Sequence, residues 1–255
     1  MTSFATYACD MVPSQEAMQN MGFDKDGFIN DFVIGAFNVD NESGIHYPLT
    51  QMVSNLFDKS SILQRRISRG FQKGECEHPN LSGMNKAQQI SRILDIKKQF
   101  VSTFFRQIDL ETGKDEHGTD LVLVKASFCP SGYYGPQLEK SIKNREENVA
   151  FSIRSLCKER MADGRVVRLV NNIITWDEVN EPGIRRANQF DSIGLESIDS
   201  SIFTPEELDS AIRTISTDQE GNVAGIECVE SLAMVKDDLG WGKVPVLKTL
   251  SSSDW

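Results

Sequence analysis

Three histidines stand in this chain, His46, His78 and His117, and any reaction that needs an imidazole base must use one of them. His78 lies in a loop bounded by Gly74 and Gly83 (GECEHPNLSG), between Glu77 and Pro79. Farther along, Ser152 and Arg154 fall two apart in the alternating segment NVAFSIRSLC. In a strand that spacing puts both on one face, about 7 Å apart. A hydroxyl with a cation beside it is a starting point for acyl transfer, where a nucleophile attacks and a positive group meets the developing oxyanion. Asp177 closes the next apolar segment, a position where a carboxylate often just caps a turn. Spacing alone leaves each of these residues a structural use as well. Cys76 is two residues from His78, but neighbouring loop positions rarely aim at each other, and no second pair exists to complete a metal site. The cysteines Cys9, Cys76, Cys129, Cys157 and Cys228 are scattered and form no CxxC pair, so free thiols are expected in place of a zinc site or redox dithiol.

The elements that must hold these residues read as mostly β. Phe28 to Asn38 is rich in aromatic and β-branched residues and reads as a strand. Pro48 opens a helix with Leu49, Met52, Val53 and Leu56 at helical spacing. Ile62 to Lys73 carries Arg65, Arg66, Arg69 and Lys73 and reads as a solvated basic face. Ile90 to Ile108 reads as one or two strands turning near Lys97, Glu111 to Gly118 as a charged turn, and Leu121 to Phe128 as a strand. Pro130 to Gly135 is a turn before a short helix at Pro136 to Lys143. In the segment from Asn148 to Cys157, Val149, Phe151 and Ile153 point one way, and Ala150, Ser152, Arg154 and Leu156 the other. Val166 to Trp176 is the next strand and Asp177 to Gly183 a loop. After a Ser- and Asp-rich stretch, Thr204 caps a helix with Pro205 at its first position and Glu206 and Glu207 in its first turn. This places a leader at residues 1–27, a main domain at 28–195 and a C-terminal extension at 196–255.

Composition narrows the classes. The chain has 255 residues, enough for a real core without metals or disulfides. Its net charge is −10, which argues against sequence-independent nucleic-acid binding. Hydrophobic residues make up 39% and charged residues 25%, the balance of a globular protein and too apolar for a disordered one. No secretory signal and no membrane-spanning run is visible.

Several segments together resemble the prohead (head-maturation) proteases of large tailed bacteriophages. Gly74-Glu75-Cys76-Glu77-His78-Pro79 resembles the family's Gly-Glu-x-x-His-Pro element, whose His is catalytic. His46-Tyr47-Pro48 resembles the aromatic-Pro step before the first helix, and Pro130 to Gly135 (PSGYYG) the turn before the nucleophile strand. Asn148 to Ser155 (NVAFSIRS) resembles that strand, with Ser152 at the attacking position. Trp176-Asp177-Glu178-Val179 with Glu181-Pro182 resembles the Asp-x-Val-x-x-Pro closure. The elements run in order over roughly residues 28 to 190. The resemblance implies a serine endopeptidase with a fold like the herpesvirus assemblins, mostly β with flanking helices, its strands in an antiparallel β-barrel. Assemblins use Ser-His-His with the second His after the nucleophile. Here no His follows Ser152, and Asp177 is the expected third member, with Asp109, Asp115 and Glu77 as fallbacks. Oxyanion or substrate contacts are expected from Arg154, Arg185 and Arg186, although Arg154 has the alternative of pairing a carboxylate to hold its strand.

Relatives cut scaffold and capsid proteins after Glu inside the prohead, within the host cytoplasm. The implied partners are therefore scaffold or core proteins and the major capsid protein, with a homodimer or higher oligomer by analogy to assemblins. No metal, organic cofactor, nucleic acid or membrane is implied. Two matching steps occur in the chain itself, Glu16-Ala17 in the leader and Glu196-Ser197 at the boundary, which suggests self-cleavage. A third tetrad, Cys228-Val229-Glu230-Ser231, marks how readily such steps arise by chance in an acidic chain. The basic stretch at Arg65, Arg66 and Arg69 is one source of a subsite for Glu. The competing interpretations are a structural component of the prohead core that keeps the fold without turnover, and a β-rich domain unrelated to phages.

Overall fold

The computed structural model describes residues 5–8, 22–41, 44–114, 118–144, 146–180, 202–218 and 223–238. Among the described residues the alternating segments pair into two sheets. One has six strands: β1 (Ala5–Ala8), β3 (Val39–Asp40), β4 (His46–Tyr47), β8 (Ala150–Ala162), β9 (Arg165–Val179) and β10 (Ile202–Phe203). Their spatial order is β10-β1-β8-β9-β4-β3. The other holds β2 (Ile29–Phe37), β5 (Lys73–Glu75), β6 (Val101–Lys114) and β7 (Asp120–Pro130), in the order β2-β7-β6-β5. Neighbours are antiparallel except β4 beside β9.

The expected barrel is not closed. The protein is mostly β with helices, but its strands form two open sheets. The reason lies in the lengths. β3, β4 and β10 are two residues each and β5 is three, too short to carry a continuous ladder from one sheet into the other. The sheets instead meet at one corner, where Cys76, just past β5, bridges Glu178 of β9.

β8 is buried on both faces, and its alternation sorts two cores. Val149, Phe151 and Ile153 enter the core between the sheets. There the rings of Phe128 and Phe151 stand 5.0 Å apart edge to face, and Phe32 and Phe105 complete the cluster. Leu156 faces the other way, into a second core with Ile174 of β9. That core is covered by α3 (Lys86–Leu94) and by β10, α5 (Pro205–Asp218) and α6 (Val223–Asp238), through Ile90, Ile93, Phe203, Leu208 and Leu232. Residues within the expected leader and C-terminal extension are thus part of the fold: β1 pairs with both β8 and β10, and α5 packs on α3.

α3 corrects the strand expected over Ile90 to Ile108. Asn85 and Gln88 form a reciprocal capping box, and Ile90, Ile93 and Leu94 recur at helical spacing on its buried side. The β-branched content masked that stripe. β6 starts only at Val101 and takes in the first part of the expected charged turn, as far as Lys114. β9 likewise continues through Asp177 to Val179 where a loop was expected, because β8 offers partners as far as Ala150. The remaining helices, α1 (Gln51–Leu56), α2 (Ile62–Ser68) and α4 (Gly135–Lys143), pack against the sheets. Thr204 caps α5 as expected, accepting from the Glu207 N–H while the Glu207 carboxylate returns to the Thr204 N–H.

Candidate active site

The site lies on the α3 side of β8 and β9. Ser152 is the register partner of Asp177, and Arg154 that of Thr175. Directly opposed residues on antiparallel strands share a face, with Cα atoms about 4.5–5.5 Å apart. The next pair along is Ser155 with Ile173, so β9 carries an extra residue, Ile174, in a bulge beside the site. Gln72 Nε2 donates to the Ile174 carbonyl at 3.1 Å.

His78 reaches this face from the corner where the sheets meet. The Glu77 N–H donates to the Glu178 carbonyl at 2.7 Å, and the Cys76 N–H donates to the Phe100 carbonyl at 2.7 Å. Glu77 sits at φ 64, the left-handed region. A bulky side chain holds that conformation only when its surroundings enforce it. Here the Glu178 carbonyl fixes its backbone, and Asn180 Nδ2 donates to its carboxylate at 2.5 Å. The turn delivers His78 Nδ1 to Asp177 Oδ2 at 2.9 Å.

Asp177 is fully buried and held from four directions. Oδ2 accepts from Arg154 Nε at 2.7 Å as well as facing His78, and Oδ1 accepts from Arg154 Nη2 at 2.7 Å and from the Glu75 N–H at 3.0 Å. Burial pushes its carboxyl up, but the charge of Arg154 and the hydrogen bond and charge of His78 prevail, and it lies below the ordinary carboxylate range. The planar fork of Arg154 suits this two-point grip.

Arg154 is not placed to meet substrate. Its guanidinium is fully buried and its five N–H donors all have acceptors in the protein: Asp177 twice, Glu75 Oε2, and the carbonyls of Ile93 and Asp95. The oxyanion role expected for this side chain gives way to the alternative of pairing carboxylates. Arg185 and Arg186, and the steps Glu16-Ala17 and Glu196-Ser197, lie outside the described residues. The fallbacks do not converge here: Asp109 is on β6 opposite Lys125, Asp115 lies outside the described residues, and Glu77 is tied to Asn180. Glu230 of the third tetrad sits inside α6, paired with Arg65 at 3.0 Å.

A cleft of about 640 Å³ opens beside His78. Cys76, Glu77, Tyr134 and Glu178 line it, and its cations are Arg92 and Lys97. Arg65, Arg66 and Arg69 are not among its walls. Burial, then the negative charges of Glu178, Glu77 and Asp177, push the Cys76 thiol up to about 11, so it stays protonated at neutral pH and makes a poor nucleophile. Burial also raises the Glu178 carboxyl to about 7.

Two members of this site carried no role in the sequence reading. Glu75 accepts from both Arg154 and Arg92, the latter through two nitrogens at 3.1 and 2.6 Å, and is completely buried. It was visible as the second residue of the Gly-Glu-x-x-His-Pro element. Arg92 was hidden in the segment read as a strand.

The chain matches the Peptidase S80 family over residues 7–237. It belongs to that family. It is 30% identical over 222 residues to the capsid maturation protease of Pseudomonas phage phiKZ, covering 84% of this chain and 80% of that protein. No solved structure matches it. Membership of Peptidase S80 agrees with the resemblance to phage prohead proteases drawn from the motifs, and the matched span takes in His78, Ser152 and Asp177 together.

Proposed function

We propose that this Peptidase S80 chain is a serine endopeptidase of phage capsid maturation, cutting scaffold and capsid proteins after Glu inside the prohead, and cutting itself at one or both of the steps Glu16-Ala17 and Glu196-Ser197. The observation that carries the proposal is the contact between His78 and a buried, ionised Asp177 that lies opposite Ser152 in the strand pair.

In this reading Ser152 Oγ attacks the scissile carbonyl. Asp177 holds the proton on His78 Nδ1, which leaves Nε2 as the base. The imidazole takes the Ser152 proton, and the tetrahedral intermediate collapses when the imidazolium returns it to the leaving amine. Water then enters and gives a proton to His78 as its oxygen attacks the acyl carbon, and the imidazolium passes that proton to Ser152 Oγ as the new acid leaves. Backbone N–H groups near Arg154, with Arg185 or Arg186, supply the oxyanion donors. Lys97, which lines the cleft and whose half-exposed Nζ lies 3.4 Å from Asp95 Oδ2, offers a cation that a substrate Glu would share with Asp95. Self-association like that of the assemblins belongs to the same reading.

The test is intact mass over time for wild type and Ser152→Ala, concentrated at neutral pH. New ends after Glu16 or Glu196 in wild type alone support nucleophile and specificity together. Identical trimming of both proteins refutes Ser152. A wild type that neither trims nor reacts with a fluorophosphonate marks a structural prohead component instead.

A further inference from the structure

The ion pairs at Asp177 do not end with Arg154. Glu75 Oε2 lies 2.8 Å from Arg154 Nη2 and 2.6 Å from Arg92 Nη2. Its other oxygen accepts from Arg92 Nη1 at 3.1 Å and from the Lys97 N–H at 2.5 Å. The order Asp177, Arg154, Glu75, Arg92 alternates in sign and sums to zero. One end touches the imidazole, and the other, Arg92, stands in the wall of the cleft.

Such a chain is a poor device for stability alone, because buried ion pairs of this kind can often be replaced by apolar residues without loss. Its geometry suits orientation. A carboxylate held by Arg154 at both oxygens cannot rotate. Arg154 in turn is fixed by Glu75 and by the Ile93 and Asp95 carbonyls at the C-terminal end of α3. We propose that Glu75 and Arg92 are positioning residues for the hydrolytic reaction, acting through Arg154 on the carboxylate of Asp177.

The inference rests on the Ser152, His78 and Asp177 reading and predicts something that reading does not. The base is subject to the charge balance of the whole row. The charged and titratable groups around it are Glu75, Cys76 and Glu77 from β5 and its following loop, Arg92 from α3, Asp95 and Lys97 after it, Arg154 from β8, and Asp177 and Glu178 from β9. Removing the Arg92 charge leaves one uncompensated negative charge, which favours the protonated imidazole. Neutralising Glu75 leaves one uncompensated positive charge, which disfavours it. A unit charge this near, at the effective dielectric of a protein interior, moves a titration by about half to one pH unit.

The experiment measures the rate of fluorophosphonate labelling of the full chain from pH 5 to 9, for wild type, Glu75→Gln, Arg92→Met and the double variant. Melting temperatures are taken alongside. Ser152→Ala and Asp177→Asn serve as controls. The expected result is a fall of about tenfold at pH 7 in each single variant. The acid limb should move up in Arg92→Met and down in Glu75→Gln. In the double variant, neutral again, both rate and limb should return toward wild type. Single variants that slow only in step with their melting temperatures, with the limb unmoved and the double variant additive, would overturn the inference and leave the row structural. If the singles fail to fold, the double variant decides, because a wild-type profile supports the charge-balance account and a shifted one overturns it. Undiminished labelling in the two controls would refute the underlying triad instead, a distinct outcome.

Discussion

Gly74 is the narrowest point of the corner between the sheets, and replacing it with alanine tests whether that corner sets the active site. A Cβ built there would lie 2.2 Å from the Trp176 carbonyl oxygen and 3.3 Å from the Phe105 ring. The first neighbour is strand backbone and cannot swing aside. Restoring ordinary contact requires β5 and β9 to part by about 1 Å. Three bonds cross that gap: Thr175 Oγ1 to the Lys73 carbonyl at 2.5 Å, the Glu75 N–H to Asp177 at 3.0 Å and the Glu77 N–H to the Glu178 carbonyl at 2.7 Å. Overpacking of this kind costs about 1–3 kcal/mol. For a chain of this size that lowers the melting temperature by about 2–10 °C. Misplacing a catalytic group by about 1 Å costs on the order of 100-fold in rate. On the proposed reading of Ser152 as nucleophile, fluorophosphonate labelling reads the rate, and calorimetry reads the stability. Gly22→Ala, which meets nothing within 4 Å, is the control and should change neither. Gly74→Ala with wild-type labelling would refute the reasoning, whatever its melting temperature.

Arg154→Met leaves the buried carboxylates of Asp177 and Glu75 without their shared cation, and should lower stability by about 3–5 kcal/mol in a urea melt. Asp177 has a depressed titration in the folded state, so its contribution is present above its unfolded value near pH 4 and is lost as pH falls through the folded one. Acid melts of wild type should steepen below about pH 4, and Asp177→Asn should lose that component. Glu178 behaves oppositely. Its carboxyl is raised to about 7, so the folded state holds a proton that the unfolded chain releases above about pH 4.5. Glu178→Gln should therefore be more stable than wild type at pH 8, by about 1–3 kcal/mol, with the difference vanishing by pH 4. Phe203→Ala, in the core beneath α5, should cost about 3–5 kcal/mol in the same assay.

The residues most legible from sequence were those whose alternation had one solution. The pattern from Val149 to Leu156 assigned both faces of β8 correctly because one-residue slippage would have inverted them. The His-Pro loop and the strand bearing Ser152 were legible as motifs, and Asp177 as the next carboxylate on the following strand. The closed barrel was a property carried over from relatives, and strand lengths here do not support it. α3 was missed because its apolar stripe is made of Ile and Leu, which serve strand and helix equally. The partnership of Glu75 and Arg92 with Arg154 could not be read locally at all. It depends on α3 docking against β8, a contact between segments about sixty residues apart whose match in charge shows only once both are placed.

The separations within the site also fix when it can first exist. His78 meets Asp177 across 99 positions, and Glu75 meets Arg154 across 79. At ordinary synthesis rates of about 5–20 residues per second, the His78 loop is made some 5–20 s before the carboxylate that completes it. On the proposed reading, the growing chain during that interval holds a base loop with no orienting group, and for most of it no nucleophile. A chain terminated before residue 177 never acquires one of the three. On the proposed reading, an enzyme that acts on the proteins assembling around it is born inert, and aborted products of its own synthesis carry no cutting activity into the assembly.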